Sequence, residues 1–215
     1  MRKRFIVLLA AIAVATPLVA QQQAPMQAPG THNAALVTAG TYSADPNHTL
    51  VSWEVDHLGF SPYFGLIGES TGKLILDPKR PNAAKVDITI PVSKILTAST
   101  ALTAHLLRAP KEAGGKPDFF GPSPADAHFV STAVVARGDK AKVTGNLTLN
   151  GVTRPVVLDV TFHGAGKASP QMGGKENVGF EARATIKRSD FGITFLVPMV
   201  SDAVTLKIAA AFTKD

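Results

Sequence analysis

The sequence predicts an all-β fold, an antiparallel barrel of about eight strands with one short helix near its mouth. Three observations carry this expectation: apolar and polar residues alternate with period 2 in segment after segment, turn-forming residues separate the segments, and only one stretch has helical spacing. Each strand thus has one apolar face. A single short helix cannot cover a sheet of this size, so the strands must bury those faces against one another. An immunoglobulin-type sandwich would also do this, but the strand lengths and the lack of a Cys…Trp…Cys pattern count against it.

In residues 49–57, Val51, Trp53 and Val55 share a face, with Ser52, Glu54 and Asp56 opposite. Residues 65–77 follow as a second strand. In 85–92, Val86, Ile88, Ile90 and Val92 face one way, and 126–137 brings in Phe129. In 142–150, Val143, Leu147 and Leu149 point inward, and Asn150-Gly151 then supplies the positive-φ pair of a tight hairpin. Its return strand, 155–163, carries Phe162. Residues 177–187 place Val178, Phe180 and Ile186 inward, and 203–213 do the same with Val204, Leu206, Ile208 and Phe212. The exception is 99–108, where Leu102 and Leu106 are spaced i, i+4 behind Ser99 or Thr100 as N-cap. Inward positions also include Gly145, Ala182, Ala184 and Ala210, and small residues opposite large ones either interlock or leave a tunnel. Alternation alone leaves both outcomes open.

A length of 215 residues fits one domain behind an export signal. With 45% hydrophobic and 18% charged residues, the composition excludes a disordered chain. Residues 1–20 read as a secretory signal: Arg2, Lys3 and Arg4 precede an apolar run from Phe5 to Ala15, and a small-residue cleavage region ends at Ala20. That run is shorter than the roughly 20 residues of a membrane span. Residues 21–39, rich in Gln, Ala and Pro, read as a flexible leader, with the barrel domain over 40–215. The absence of cysteine excludes a disulfide framework, and a periplasmic location is expected. Of the net charge of +6, three positive charges belong to the signal, which leaves 19 basic against 16 acidic residues. They are scattered, so nucleic acid is not an expected partner.

Gly68-Glu69-Ser70-Thr71-Gly72 matches the G-x-S-x-G pattern of a hydrolase nucleophile elbow, which needs a helix after the turn. Here residues 73–77 alternate as a strand and run into Pro78, so the context is wrong. The histidines, among them His57, His105 and His128, fall on separate segments without H-E-x-x-H spacing, and no metal site is expected. Arg137-Gly138-Asp139 reads as a hairpin turn. An exported enzyme using His57 or His105 as base, or a haem- or metal-binding accessory protein, are the competing functional classes. The first lacks a paired nucleophile.

Several strings resemble those of the YceI-like, polyisoprenoid-binding periplasmic proteins: Asp45-Pro46-Asn47-His48-Thr49, His57-Leu58-Gly59-Phe60-Ser61, His105-Leu106, Asp118-Phe119-Phe120 and Phe129-Val130-Ser131-Thr132. The stretch 145–155, around Asn150-Gly151, and Lys187-Arg188-Ser189-Asp190-Phe191-Gly192-Ile193 continue the series in the same order. The likeness spans about Gly40 to Phe212. It departs at Thr103, where the family often carries an acid, and at 121–127, which is richer in Pro and Ala.

The resemblance implies a lipocalin-like barrel that holds an isoprenoid lipid, a polyprenyl phosphate or an isoprenoid quinone, without catalysis and without a cofactor. It allows a homodimer and transient membrane contact. The inward residues expected to line the lumen are Val51, Trp53, Val55, Ile88, Ile90, Phe129, Leu147, Phe162, Phe180, Ile186, Leu206 and Ile208. His57, His105 and Arg108 are the head-group candidates, while Arg188 and Asp190 are expected to pair structurally.

Overall fold

A computed structural model describes residues 27–215; the expected signal, 1–20, lies outside the described residues. The chain runs through β1 (Gly30–Thr31), β2 (Gly40–Ala44), β3 (Leu50–His57), β4 (Ser61–Ile67), β5 (Thr71–Leu76), β6 (Lys85–Ile90) and β7 (Ile95–Leu96). Helix α1 (Thr100–Leu106) follows, capped by the Ser99 side chain, which accepts from the Leu102 N–H. The remaining strands are β8 (Ala127–Arg137), β9 (Lys140–Leu149), β10 (Val152–Lys167), β11 (Glu176–Lys187) and β12 (Ala203–Lys214).

Three pairs of short strands are long strands broken by a bend. β2 and β3 lie in succession along β12, with Ala44 opposite Phe212 and Glu54 opposite Thr205. β5 and β4 pair with them in turn, and β6 and β7 pair with β5 and β4. Glu69, at φ 58°, marks the second break, and Pro91, which has no N–H for the ladder, marks the third. Counted this way, eight antiparallel strands run up and down, each beside its neighbour in sequence, and β12 closes the ring by pairing with β11 on one side and β2–β3 on the other. Closure removes the sheet edges that an open sheet would expose.

The Asn150-Gly151 hairpin forms as expected, with φ of 51° and 74° and Leu149 paired to Val152. Paired structure is already present before residue 40. Gly30 and Thr31 pair with Gly166 and Ala165 of β10, and Asn33 caps a 3-10 turn at Ala34–Leu36. Gln/Ala/Pro composition hid this short strap because two paired residues leave no periodicity to detect. The first strand also escaped: β2 buries Tyr42 to 1% exposure, and Tyr42 donates its hydroxyl to the Thr38 carbonyl at 2.6 Å.

One end of the barrel carries α1, the 107–126 segment and the 188–202 loop; the other carries the β5–β6, β8–β9 and β10–β11 connections and the strap. The helix end is solid. Val92, Phe191, Ile186, Val204 and Ala127 are buried there, with Trp53, Val55, Phe120 and Leu149 packed against them. Arg188, 5% exposed, locks this end. Its guanidinium donates to the carbonyls of Ser201 (2.9 Å), Phe195 (2.8 Å) and Val200 (2.8 Å), with a longer bond to Ile193 (3.3 Å). It does not pair with Asp190, as expected from sequence; the nearby acid is Asp202, which Ser189 holds through its N–H (2.8 Å) and hydroxyl (2.7 Å). Burial pushes the Arg188 pKa down, and the charge of Asp202 opposes that shift.

Removing the guanidinium strands several buried carbonyls at once. R188M is expected to lose about 2–4 kcal/mol of stability, read from the denaturant midpoint. An unchanged midpoint would show that the loop holds without the clamp.

Candidate ligand cavity

The interior is hollow in its other half. A cavity of about 490 Å³ lies above the solid end, within the range of about 300–1,000 Å³ typical of small-molecule sites. Val51, Ile88, Ile90, Phe129, Leu147, Leu206 and Ile208 line it, with Phe162 and Phe180. These nine of the expected lumen residues fall where alternation placed them. Trp53, Val55 and Ile186 do not line it: they point inward but belong to the solid end. Alternation gives the face of a strand, not the height at which the lumen ends.

Sequence reasoning missed part of the wall. Val86 and Val143, on the inner face by alternation, also line the lumen, as do Val156, Leu158 and Val160 of β10. In β8 the register shifts between Ser131 and Ala133, so that Val134 and Ala136 face the cavity after Phe129. A bulge of this kind leaves no trace in a period-2 count.

Both fates of the small inward residues occur. A Cβ at Gly145 would come within 2.4 Å of the Phe129 ring, and one at Gly65 within 2.4 Å of the Trp53 ring, so these glycines interlock with aromatics. Ala182 and Ala210 instead border the cavity. Ala184 packs at the solid end. The rings of Phe162, Phe180 and Phe212 meet edge to face at 6.0 and 6.3 Å and fix one wall.

The cavity reaches the surface at the turn end. Its rim there is made by exposed Pro78, Pro81, Gly138, Asp139 and Lys140 and by His32 and Ala34 of the strap. His32 Nδ1 donates to the His163 carbonyl (3.1 Å), and the ring sits 3.8 Å from Asp139 and packs on Phe162 at 5.3 Å. The helix is therefore at the closed end, not near the mouth as the sequence led us to expect.

The head-group candidates fall with it. His57 is exposed at the end of β3, where its backbone bridges Val200. His105 Nε2 and Arg108 Nη2 both bind one carboxylate oxygen of Asp118, at 2.7 and 2.8 Å. The His105 ring is wedged edge-on against Phe119 (5.3 Å) and Phe195 (5.6 Å). This triad ties α1 to the 107–126 segment and to the 188–202 loop, and none of its members lines the cavity. The hydrogen bonds from His105 and Arg108 hold the Asp118 carboxyl below its ordinary value of 3.8. Among the described residues, no three His, Asp or Glu side chains converge on a point that could hold a metal.

Two polar residues sit within the apolar wall, Thr49 (3% exposed) and Ser70 (0% exposed). Thr49 is satisfied: its hydroxyl donates to the Ala211 carbonyl (3.0 Å) and accepts from the Ala211 N–H (3.2 Å).

The YceI-like domain model matches residues 42–212. Protein YceI of Salmonella arizonae is 36% identical over 174 residues, covering 80% of this chain and 85% of its own length. Among solved structures, BcnA of Burkholderia cenocepacia superposes with a TM-score of 0.63 at 24% identity, over 78% of this chain and 98% of that one. A polyisoprenoid binding domain from Saccharophagus degradans gives 0.58 at 11% identity, over 81% and 98%. These two likenesses are of fold.

Two expected outcomes follow from the geometry. A182F should abolish the fluorescence gain of N-phenyl-1-naphthylamine on entering the cavity while the circular dichroism is unchanged, whereas A184F should lower the thermal midpoint; the reverse pattern would misplace the floor. Because Asp118 titrates below 3.8 in the folded protein, its contribution is present above that value and is lost as the pH falls through the depressed one. D118N should accordingly lose less thermal stability than the parent between about pH 6 and about pH 3, and an equal loss would count against the triad.

Proposed function

The chain belongs to the YceI-like family, and from that premise we propose that it is a periplasmic carrier that sequesters an isoprenoid lipid in the open half of its barrel. The observation that carries this reading is the cavity itself: apolar nearly throughout, closed at the helix end and open at the turn end. Such a shape binds by length of hydrocarbon. Each methylene withdrawn from water contributes about 0.8 kcal/mol, from which the cost of ordering the chain is subtracted.

Among the described residues the wall presents no paired nucleophile and base, and the reading as a binding protein rests on its apolar lining. The polyisoprenoid named for the Saccharophagus domain is a ligand class that suits an apolar cavity of this kind. Export rests on the basic and apolar pattern of residues 1–20. Loading and release would bring the mouth into transient contact with a membrane or a membrane protein, since such lipids reside in bilayers.

Mass spectrometry of organic extracts from protein isolated from the periplasmic fraction should show an isoprenoid, and the mature chain should begin at Gln21. Protein recovered from the cytosol, or a folded protein that carries and takes up no isoprenoid, would overturn the proposal.

A further inference from the structure

The serine of the G-x-S-x-G string is buried in the cavity wall. Ser70 stands at the bend between β4 and β5 and shares its face with Leu74 and Leu76, both in the cavity wall. It is 0% exposed, and its Oγ has no hydrogen-bond partner among the described residues. A buried hydroxyl normally finds a partner, because leaving it unmade forfeits its hydration without return. Ser70 serves no local turn, unlike Thr49, whose hydroxyl is bound twice by the β12 backbone.

Its height in the barrel is set by register. Thr71 pairs with Thr89, which places Ser70 beside Ile90 at the floor of the cavity, far from the charged rim of His32, Asp139 and Lys140. Among the described residues the two other buried polar side-chain atoms without partners, Trp53 Nε1 and Tyr63 Oη, lie outside the cavity lining. No Lys, Arg or His of the lining lies at the floor, so a phosphate reaching it would be desolvated without a counter-charge.

We infer that Ser70 is a specificity-determining residue whose hydroxyl donates a hydrogen bond to a neutral oxygen of the ligand, a carbonyl, ether or hydroxyl carried to the floor of the cavity. The inference rests on the carrier reading above and narrows it: the ligand enters with an uncharged oxygenated end inward, as a quinone ring could, and its tail toward the mouth.

Binding of ubiquinone-2, β-farnesene and farnesyl phosphate to the parent protein and to S70A tests this. S70A should weaken ubiquinone-2 about tenfold, the equivalent of about 1.4 kcal/mol, and leave the hydrocarbon and the phosphate within twofold. The carbonyl stretch of bound ubiquinone-2 should shift down in the parent and return in S70A. Equal losses for all three probes, no loss for any, or an unshifted carbonyl band would overturn the role of Ser70 while β-farnesene binding upheld the carrier. If no probe binds the parent, the carrier reading fails and takes this one with it.

Discussion

Everything in this molecule depends on one constraint: eight strands with a single apolar face each, and among the described residues no second layer to cover them, must close on themselves. A closed ring of that size has an interior of nearly fixed width, just broad enough for side chains to fill or for one ligand to occupy. Whether it is solid or hollow is then decided by residue size. At the helix end, Trp53, Val92, Ile186 and Phe191 fill it, and at the turn end Ala182 and Ala210 do not.

The asymmetry of the two ends converts a barrel into a container. The helix end is held by charged and polar groups turned to structural use: Arg188 on the carbonyls of 193–201, and Asp118 on His105 and Arg108. Those contacts pin a long loop and a long connection across the base. The turn end carries the β5–β6, β8–β9 and β10–β11 connections and the strap, and the cavity opens to the surface between them.

Much of this was legible in the sequence, for definite reasons. Nine of the twelve residues that period-2 alternation put on the inner face border the cavity, because a half-buried strand must show its face. The hairpin at Asn150-Gly151 was legible because few residues accept positive φ. What the pattern could not carry was height. Trp53 and Val51 share a face, yet only Val51 reaches the cavity. Likewise, His105 and Arg108 looked available because their partner, Asp118, lies across a loop, and His57 because period 2 does not show at which end of the barrel its strand finishes. The β8 bulge and the two-residue strap are invisible to periodicity for the same reason: they are defined by what they pair with.

The central claim is that ligand occupies the turn half of the barrel and enters from that side. Photo-crosslinking with an isoprenoid bearing a diazirine on its tail, followed by peptide mapping, tests it most directly. The account predicts labels on β6, β8 and β12, at or beside Ile88, Phe129 and Ile208, and at the rim. Labels concentrated on α1 and the 107–126 segment, around His105 and Arg108, would contradict it.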